Sequence, residues 1–255
     1  MQDVMALDIG NSHCKIRLNS QAVIILVNQD VFTNNFKLNL GQNYSQLIIS
    51  ISSVLNTDHT EELLEKLSKK LRWQQIKCIT WQSNQILQTA LPTQYQELGY
   101  LGSDRALRIY YLSQLEQNHP QIGIGCGTGF TVEVIHHGKL IESLILPGLG
   151  LQLASLFQHT DKLPSIKPKE VEDILNNDSA KLTTNYAICT GIIQGYIALI
   201  VQLNQKYQSK QIICSGAYAH LIQKFAHISI QDRIKIVTHL ELDILQQFTD
   251  FHDLT

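Results

Sequence analysis

Three stretches of this chain carry residue types that suit phosphoryl transfer. The first is Asp8-Ile9-Gly10-Asn11-Ser12-His13-Cys14-Lys15. A carboxylate ends an apolar run, a glycine lets the backbone turn and approach a ligand, Asn11 and Ser12 offer donors, and Lys15 offers a cation. A nucleotide phosphate needs such donors, with a carboxylate to hold Mg²⁺; an ordinary polar hairpin turn uses the same residues, and alone this stretch leaves both readings open. The second stretch, Gly125-Cys126-Gly127-Thr128-Gly129-Phe130-Thr131, offers Thr128 and a flexible backbone to the other side of the phosphates. It is not a dinucleotide fingerprint, because Thr128 breaks GxGxxG and strand rather than helix follows. No GxxxxGK[ST] occurs, so a Walker-A loop is excluded. The third is Gly102-Ser103-Asp104-Arg105, with Tyr95 upstream in a Pro-containing loop. A kinase needs a carboxylate to orient and deprotonate the accepting hydroxyl, and Arg grips an anionic substrate bidentately. The plainer reading of Asp104 is a helix-capping acid.

The elements that must position these residues follow from periodicity. Val4 to Asp8, Cys14 to Leu18 and Ala22 to Val27 read as three strands of an antiparallel meander. Leu47 to Ser50 is a fourth strand. Thr60 to Leu71 is an amphipathic helix, with Leu63, Leu64, Leu67 and Leu71 on one face. Ile76 to Thr80 is a strand, a loop-like stretch with Pro92 follows, and Ser103 to Leu115 is a helix with Ser103 or Asp104 near its N-cap. Then the plan restarts. Gln121 to Cys126, Phe130 to His136 and Leu140 to Leu146 are three strands. Helices follow over Leu149 to Phe157, Pro168 to Asn176 and Thr184 to Lys206, then a strand over Gln211 to Cys214 and helices over Ala217 to Phe225 and Glu241 to Phe248. The expected class is α/β, with two domains, 1–118 and 119–255. Each carries a mixed sheet that opens with three antiparallel strands and is flanked by helices.

Composition bounds the partners. The 255 residues are 44% apolar and 16% charged, with 20 Lys and Arg against 22 Asp and Glu and a net charge of −2, which suits a globular protein and gives no footprint for nucleic acid. Five cysteines without a CxxC pair read as buried reduced thiols rather than a disulfide framework or zinc site. The first residues lack the basic and apolar regions of a signal peptide. The apolar stretch Ala187 to Leu203 is shorter than the roughly 20 residues of a bilayer span and reads as a buried helix, with Gly191 and Gly195 on one face for close packing. A cytoplasmic protein without a membrane partner is expected.

The run Asp8 to Lys15, the run Tyr95…Gly102-Ser103-Asp104-Arg105, the Gly127-Thr128 turn, Pro147-Gly148-Leu149, Leu163-Pro164, Thr184…Gly191 and Ser215-Gly216 stand in an order and at a spacing that resemble type III pantothenate kinases. The resemblance spans roughly residues 3 to 225, and its first two motifs are the specific ones. It implies an actin-like (ribonuclease H-like) fold of the acetate/sugar kinase–Hsp70–actin superfamily and a homodimer. It also implies ATP-dependent phosphorylation of pantothenate at its 4′-hydroxyl, the first step of coenzyme A synthesis. By that resemblance Asp104 matches the catalytic base. Asp8, Ile9, Gly10, Asn11, Ser12, His13, Cys14 and Lys15 match the ATP-phosphate segment, with Asp8 at the Mg²⁺, and Gly127 and Thr128 match the second ATP turn. Tyr95, Gly102, Ser103, Asp104, Arg105 and Thr184 match positions around pantothenate.

The chain also departs from the family. The usual Asp of the second turn, a ligand of a monovalent cation (K⁺ or NH₄⁺), is Gly125, so no potassium site of the usual kind is expected. Glu142-Ser143 replaces a Gly-Gly pair, Gly216-Ala217 a second one, and Ser12 a Thr. Two other readings stand beside catalysis on pantothenate: a regulatory or binding protein on the kinase fold with weak or no catalysis, and a kinase of another small hydroxy-acid or sugar.

Overall fold

The computed structural model describes residues 3–19, 21–33, 35, 44–70, 73–99, 101–116 and 118–252. The chain divides into two compact units, residues 1–111 with 239–255 and residues 112–238.

The first unit contains β1 (Asp3–Ile9), β2 (His13–Leu18), β3 (Ile24–Val27), α1 (Asn28–Phe32), β4 (Tyr44–Ser53), α2 (Thr57–Ser68), β5 (Trp73–Thr80), α3 (Ser83–Ala90) and α4 (Ser103–Ser113). Its sheet runs β3-β2-β1-β4-β5; β1, β2 and β3 pair antiparallel, and β4 and β5 add in parallel. Period-2 alternation explains the two faces. Met5, Leu7 and Ile9 of β1, Cys14, Ile16 and Leu18 of β2, and Leu47, Ile49 and Ile51 of β4 enter one core with Leu63 and Leu67 of α2. Each such aliphatic side chain contributes about 1.5–3 kcal/mol by leaving water, so this face fixes the register. Asn56 starts α2 by accepting the His59 amide at 2.9 Å. The expected last residue of that helix, Leu71, lies outside the described residues.

The second unit repeats the plan. It contains β6 (Gln121–Cys126), β7 (Gly129–His136), β8 (Lys139–Pro147), α5 (Leu149–Gln158), α6 (Val171–Asn176), α7 (Thr184–Tyr207), β9 (Ile212–Ser215), α8 (Ala219–Phe225), α9 (Ile228–Gln231) and β10 (Ile234–Ile236). Read from the meander outward, its sheet order β8-β7-β6-β9-β10 corresponds to β3-β2-β1-β4-β5 of the first. The expected doubling of three antiparallel strands followed by parallel ones is therefore present. α7 is long and apolar enough to cross a membrane, but Cys189, Ile192, Ile193, Tyr196, Ile197, Ile200 and Leu203 form a stripe packed into the core with β6, β7 and β9. The Tyr196 ring stacks on Phe130 at 4.1 Å.

Several expectations need correction. The stretch read as a loop after β5 holds α3, whose buried Ile86, Leu87 and Ala90 keep helical spacing; Pro92 ends that helix rather than marking a loop throughout. The short elements α1, α9 and β10 carry too few residues for a periodic signal. Gly191 and Gly195 are exposed, and a Cβ at either would meet nothing within 4 Å, so they admit no neighbour inside this unit. The domain boundary also lies elsewhere than 118/119. The last helix, α10 (Leu240–His252), belongs to the first unit. Phe248 packs between Trp81 and Tyr110, at 4.7 and 4.8 Å, and Arg17 of β2 pairs with Asp243. The domain expected at 119–255 loses its final helix because that helix covers the more polar face of the first sheet.

Candidate active site

The first motif is a tight hairpin. The Gly10 amide donates to the His13 carbonyl at 2.9 Å, leaving Asn11 and Ser12 exposed at the tip. Asn28, at the start of α1, braces it: its Nδ2 donates to the Gly10 carbonyl at 2.8 Å and its amide to the Ser12 carbonyl at 3.0 Å. Nothing in the spacing of the sequence marks Asn28, because the brace comes from β3 folding back. Of the eight residues assigned to this segment, Ile9 and Cys14 are buried in the apolar core. They can offer a ligand only backbone groups, whereas Asp8 and Lys15 lie on the opposite, polar face.

That face carries a cluster of charge. Lys15 Nζ donates to Asp8 Oδ2 at 3.1 Å and to Glu241 Oε2 of α10 at 3.4 Å. Both carboxylates are nearly buried, at 6% and 7% side-chain exposure, so their charges are tolerable only as partners of a cation. Burial pushes Asp8 up to about 6, against the pull of Lys15 and helped by Glu241 and Asp104. Burial also opposes the charge of Glu241, yet Lys15 and then Arg108 hold it below the usual carboxylate range. Burial likewise works against the Lys15 ammonium, but Asp8 and Glu241 together keep it above the usual lysine range. Two acids thus share one ammonium, and Asp8 is the one that gives up its charge first. Glu241 and Arg108 were invisible as site residues in sequence: one sits 226 positions from Lys15, the other on a buried helix face where a hydrophobe is usual.

Asp104 enters the same unit from the first turn of α4. The Gly102 carbonyl accepts the Arg105 and Ala106 amides at 3.1 and 3.0 Å, so Gly102, rather than Ser103 or Asp104, is the cap. Gly102 also packs near Val54, whose amide donates to the Ile9 carbonyl at 3.0 Å. This ties the start of α4 to the end of β1, and Asp104 stands close enough to Asp8 to act on its titration. Arg105 is only 8% exposed. Tyr95 is half-buried in a short 3₁₀ turn, Tyr95–Glu97. A Cβ at Gly102 would lie 2.7 Å from Asp104 Oδ1. Gly102→Ala therefore moves the carboxylate rather than the helix. Turnover is expected to fall about a hundredfold, the cost of a misplaced reacting group, with the melting temperature lowered only by the loss of a Gly cap, which costs about 1 kcal/mol. Normal turnover in the variant would show that this carboxylate position is unimportant.

The second turn is built within the other unit. Gly148, which caps α5, donates to the Thr128 carbonyl at 2.9 Å, and a Cβ there would sit 2.2 Å from the Gly127 oxygen. Gly216, at φ +101°, also approaches backbone closely: a Cβ there would lie 2.6 Å from the Cys126 oxygen. Backbone on both sides thus shapes the turn and leaves Thr128 exposed. Gly125 lies inside β6, paired with Thr131 and Ser215. Glu142 accepts from Lys206 Nζ and the Tyr207 hydroxyl, both at 2.6 Å, which binds β8 to the end of α7. Thr184 is exposed at the first turn of α7. Asp8, Gly10 to His13, Lys15, Tyr95 and Gly102 to Arg105 thus all belong to the first unit, while Gly127, Thr128 and Thr184 belong to the second.

Among the described residues no group of three or more His, Cys, Asp or Glu could cage a metal ion. Mg²⁺ does not need one, since it is commonly held by one or two carboxylates plus substrate phosphates. Asp8 fits that use. Its register neighbour on β4, Ser52, carries a buried Oγ without a partner, so polar capacity remains beside the carboxylate.

A sequence model described as type III pantothenate kinase matches residues 4–206. A type III pantothenate kinase of Acinetobacter baumannii (strain ACICU) is 27% identical over 255 residues, covering 95% of each chain. One from Thermosipho melanesiensis is 22% identical, covering 88% of this chain and 91% of the relative. Among solved structures, a conserved putative Baf family transcriptional activator from Campylobacter jejuni aligns with a TM-score of 0.56 at 16% identity, covering 98% of both chains. A non-polymerisable pCBH ParM mutant aligns at 0.51 with 9% identity, covering 98% of this chain and 99% of that one. At these identities the structural likeness shows the fold alone, which is actin-like.

Proposed function

The chain belongs to the type III pantothenate kinase family, and from that premise we propose how its residues divide the work. The reaction moves the γ-phosphate of ATP to the 4′-hydroxyl of pantothenate. Asp104 accepts the hydroxyl proton and aims the oxygen at the phosphorus. Arg105 holds the pantothenate carboxylate, with Tyr95, Gly102 and Ser103 of the same unit around the substrate; Thr184 of the second unit matches a further substrate position of the family. The backbone of Asp8 to Lys15 and the Asn11 and Ser12 side chains hold the ATP phosphates; Gly127 and Thr128 of the second unit match the family's second ATP turn. Asp8 holds Mg²⁺, which when bound neutralises charge on the phosphates. The observation that carries this reading is the position of Asp104, at the start of α4 and within electrostatic reach of Asp8. Base and phosphate-side acid therefore share one unit. The regulatory reading has Gly125 and Glu142 in its favour, and those changes leave Asp8, Asp104 and Arg105 in place.

The test is a coupled assay with ATP, Mg²⁺ and pantothenate, with and without K⁺ or NH₄⁺. Turnover is expected, with little response to the monovalent cation, because a glycine inside β6 offers no side-chain ligand. Folded protein without turnover would overturn catalysis; strong activation by K⁺ would overturn the cation assignment.

We further propose a cytoplasmic homodimer without nucleic-acid or membrane partners. Support comes from the face of α7 opposite its core stripe, where Ala187, Gly191, Gly195 and Ala198 lie exposed. Small residues let a second backbone approach closely. Light scattering is expected to give a dimer that Gly195→Glu converts to monomer; a dimer unaffected by that charge would place the contact elsewhere.

A further inference from the structure

Glu241 is a buried acid that the scheme above leaves unused. It lies beyond residues 4–206, where the family match ends, and reaches the first unit only because α10 returns to it. A buried charge must be paired to be tolerated, so its placement needs a reason. Anchoring of α10 does not supply one. Asp243 already pairs with Arg17, Gln246 donates to the Asn19 carbonyl, and Phe248 fills the space between Trp81 and Tyr110. Glu241 instead accepts from Lys15, the side chain that also donates to Asp8, with the buried Arg108 as a second cation near it.

Lysine is a compact charge on a flexible four-carbon stem. One acceptor leaves its ammonium free to swing; two acceptors fix it. With Glu241 at 3.4 Å and Asp8 at 3.1 Å, Nζ is divided between two carboxylates. Without Glu241 the ammonium would belong to Asp8 alone and cover the acid proposed to face the nucleotide. We infer that Glu241 is a positioning residue of the phosphate site: it draws Lys15 to a fixed point beside Asp8, so that the ammonium supports the nucleotide phosphates without masking that carboxylate. This rests on the reading of Asp8 to Lys15 as the ATP-phosphate segment.

The experiment compares the parent with Glu241→Gln, Glu241→Asp, Lys15→Ala and the Lys15→Ala/Glu241→Gln double variant. ADP binding is measured by calorimetry, KM for ATP and for pantothenate by steady-state kinetics, and folding by melting temperature. Outer residues that orient a binding group typically change affinity by about ten- to a hundredfold. Glu241→Gln is therefore expected to weaken ADP binding and raise KM for ATP about tenfold, with KM for pantothenate unchanged. Glu241→Asp should recover part of the loss, and in the Lys15→Ala background Glu241→Gln should cost nothing further, since coupled residues are not additive. Parent-like nucleotide binding in Glu241→Gln overturns the inference. So does an equal penalty with and without Lys15, or a loss that only follows a lowered melting temperature. If Lys15→Ala weakens nucleotide binding and Glu241→Gln does not, positioning alone fails. If Lys15→Ala has no effect, the phosphate reading of the hairpin fails with it.

Discussion

Replacing Asp104 by Asn should lower kcat by about 10²–10⁴, the usual worth of a positioned general base, which is about 3–5 kcal/mol of barrier. Asn keeps the shape and the polar contact at the start of α4 but cannot accept a proton at neutral pH. ATP affinity should change little, because no contact assigned to ATP is lost, and the melting temperature should stay close to the parent value. An acid in the first turn of a helix is worth only about 0.3–1 kcal/mol to stability, so the two readings of Asp104 part cleanly. If it were merely a helix-end charge, the variant would lose a little stability and keep its turnover. If it is the base, turnover collapses while stability holds. Steady-state kinetics beside a thermal melt decides between them, and an Asp104→Asn enzyme within about tenfold of the parent would remove Asp104 from the chemistry.

What could be read from the sequence were the features that depend on near neighbours in the chain. The strand triplets around Asp8 and Gly125 followed from alternation and glycine turns, and α7 from its length and apolar content; both are in the structure. The hairpin could be located, but its separation into two faces could not. The structure turns Ile9 and Cys14 into the core and Asp8 and Lys15 to the polar face, a consequence of sheet pairing rather than of the motif. What sequence could not reveal depended on long-range return. Glu241 has nothing local to mark it; its significance comes from α10 lying on the first sheet, where a carboxylate meets Lys15 and an apolar patch meets Trp81. For the same reason a boundary drawn at 118/119 placed α10 with the wrong unit. Asn28 and Arg108 are of the same kind, polar residues whose partners are assembled by the fold. α3 escaped for another reason: its eight residues lie just before Pro92, and the proline dominated the reading of the stretch.

Asp8→Asn should all but eliminate turnover and yet leave a protein at least as stable as the parent near pH 8. The loss of activity follows from chemistry. With Gly125 lacking a carboxylate, Asp8 is the acid proposed to hold Mg²⁺ at the phosphates, and removing one such electrostatic contact typically costs about 10²–10³ in rate or more. The stability follows from the sign of the pKa shift. Burial pushes Asp8 up to about 6 from an ordinary value of 3.8, so the folded chain binds a proton there more tightly than the unfolded chain. This group's ionisation therefore works against folding: the penalty grows as pH rises from about 4 to 6 and is fully present above 6. An Asn carries no such penalty, and Lys15 keeps Glu241 as its partner. The parent enzyme should show the matching kinetic signature, with kcat/KM for ATP falling about tenfold per pH unit below about 6 as free Asp8 takes up its proton. A melt and a pH–rate profile on the two proteins test both halves. Full activity in Asp8→Asn would remove the metal role. A variant that melts well below the parent at pH 8 would mean that the Asp8–Lys15 pair stabilises the fold more than burial of the carboxylate costs it.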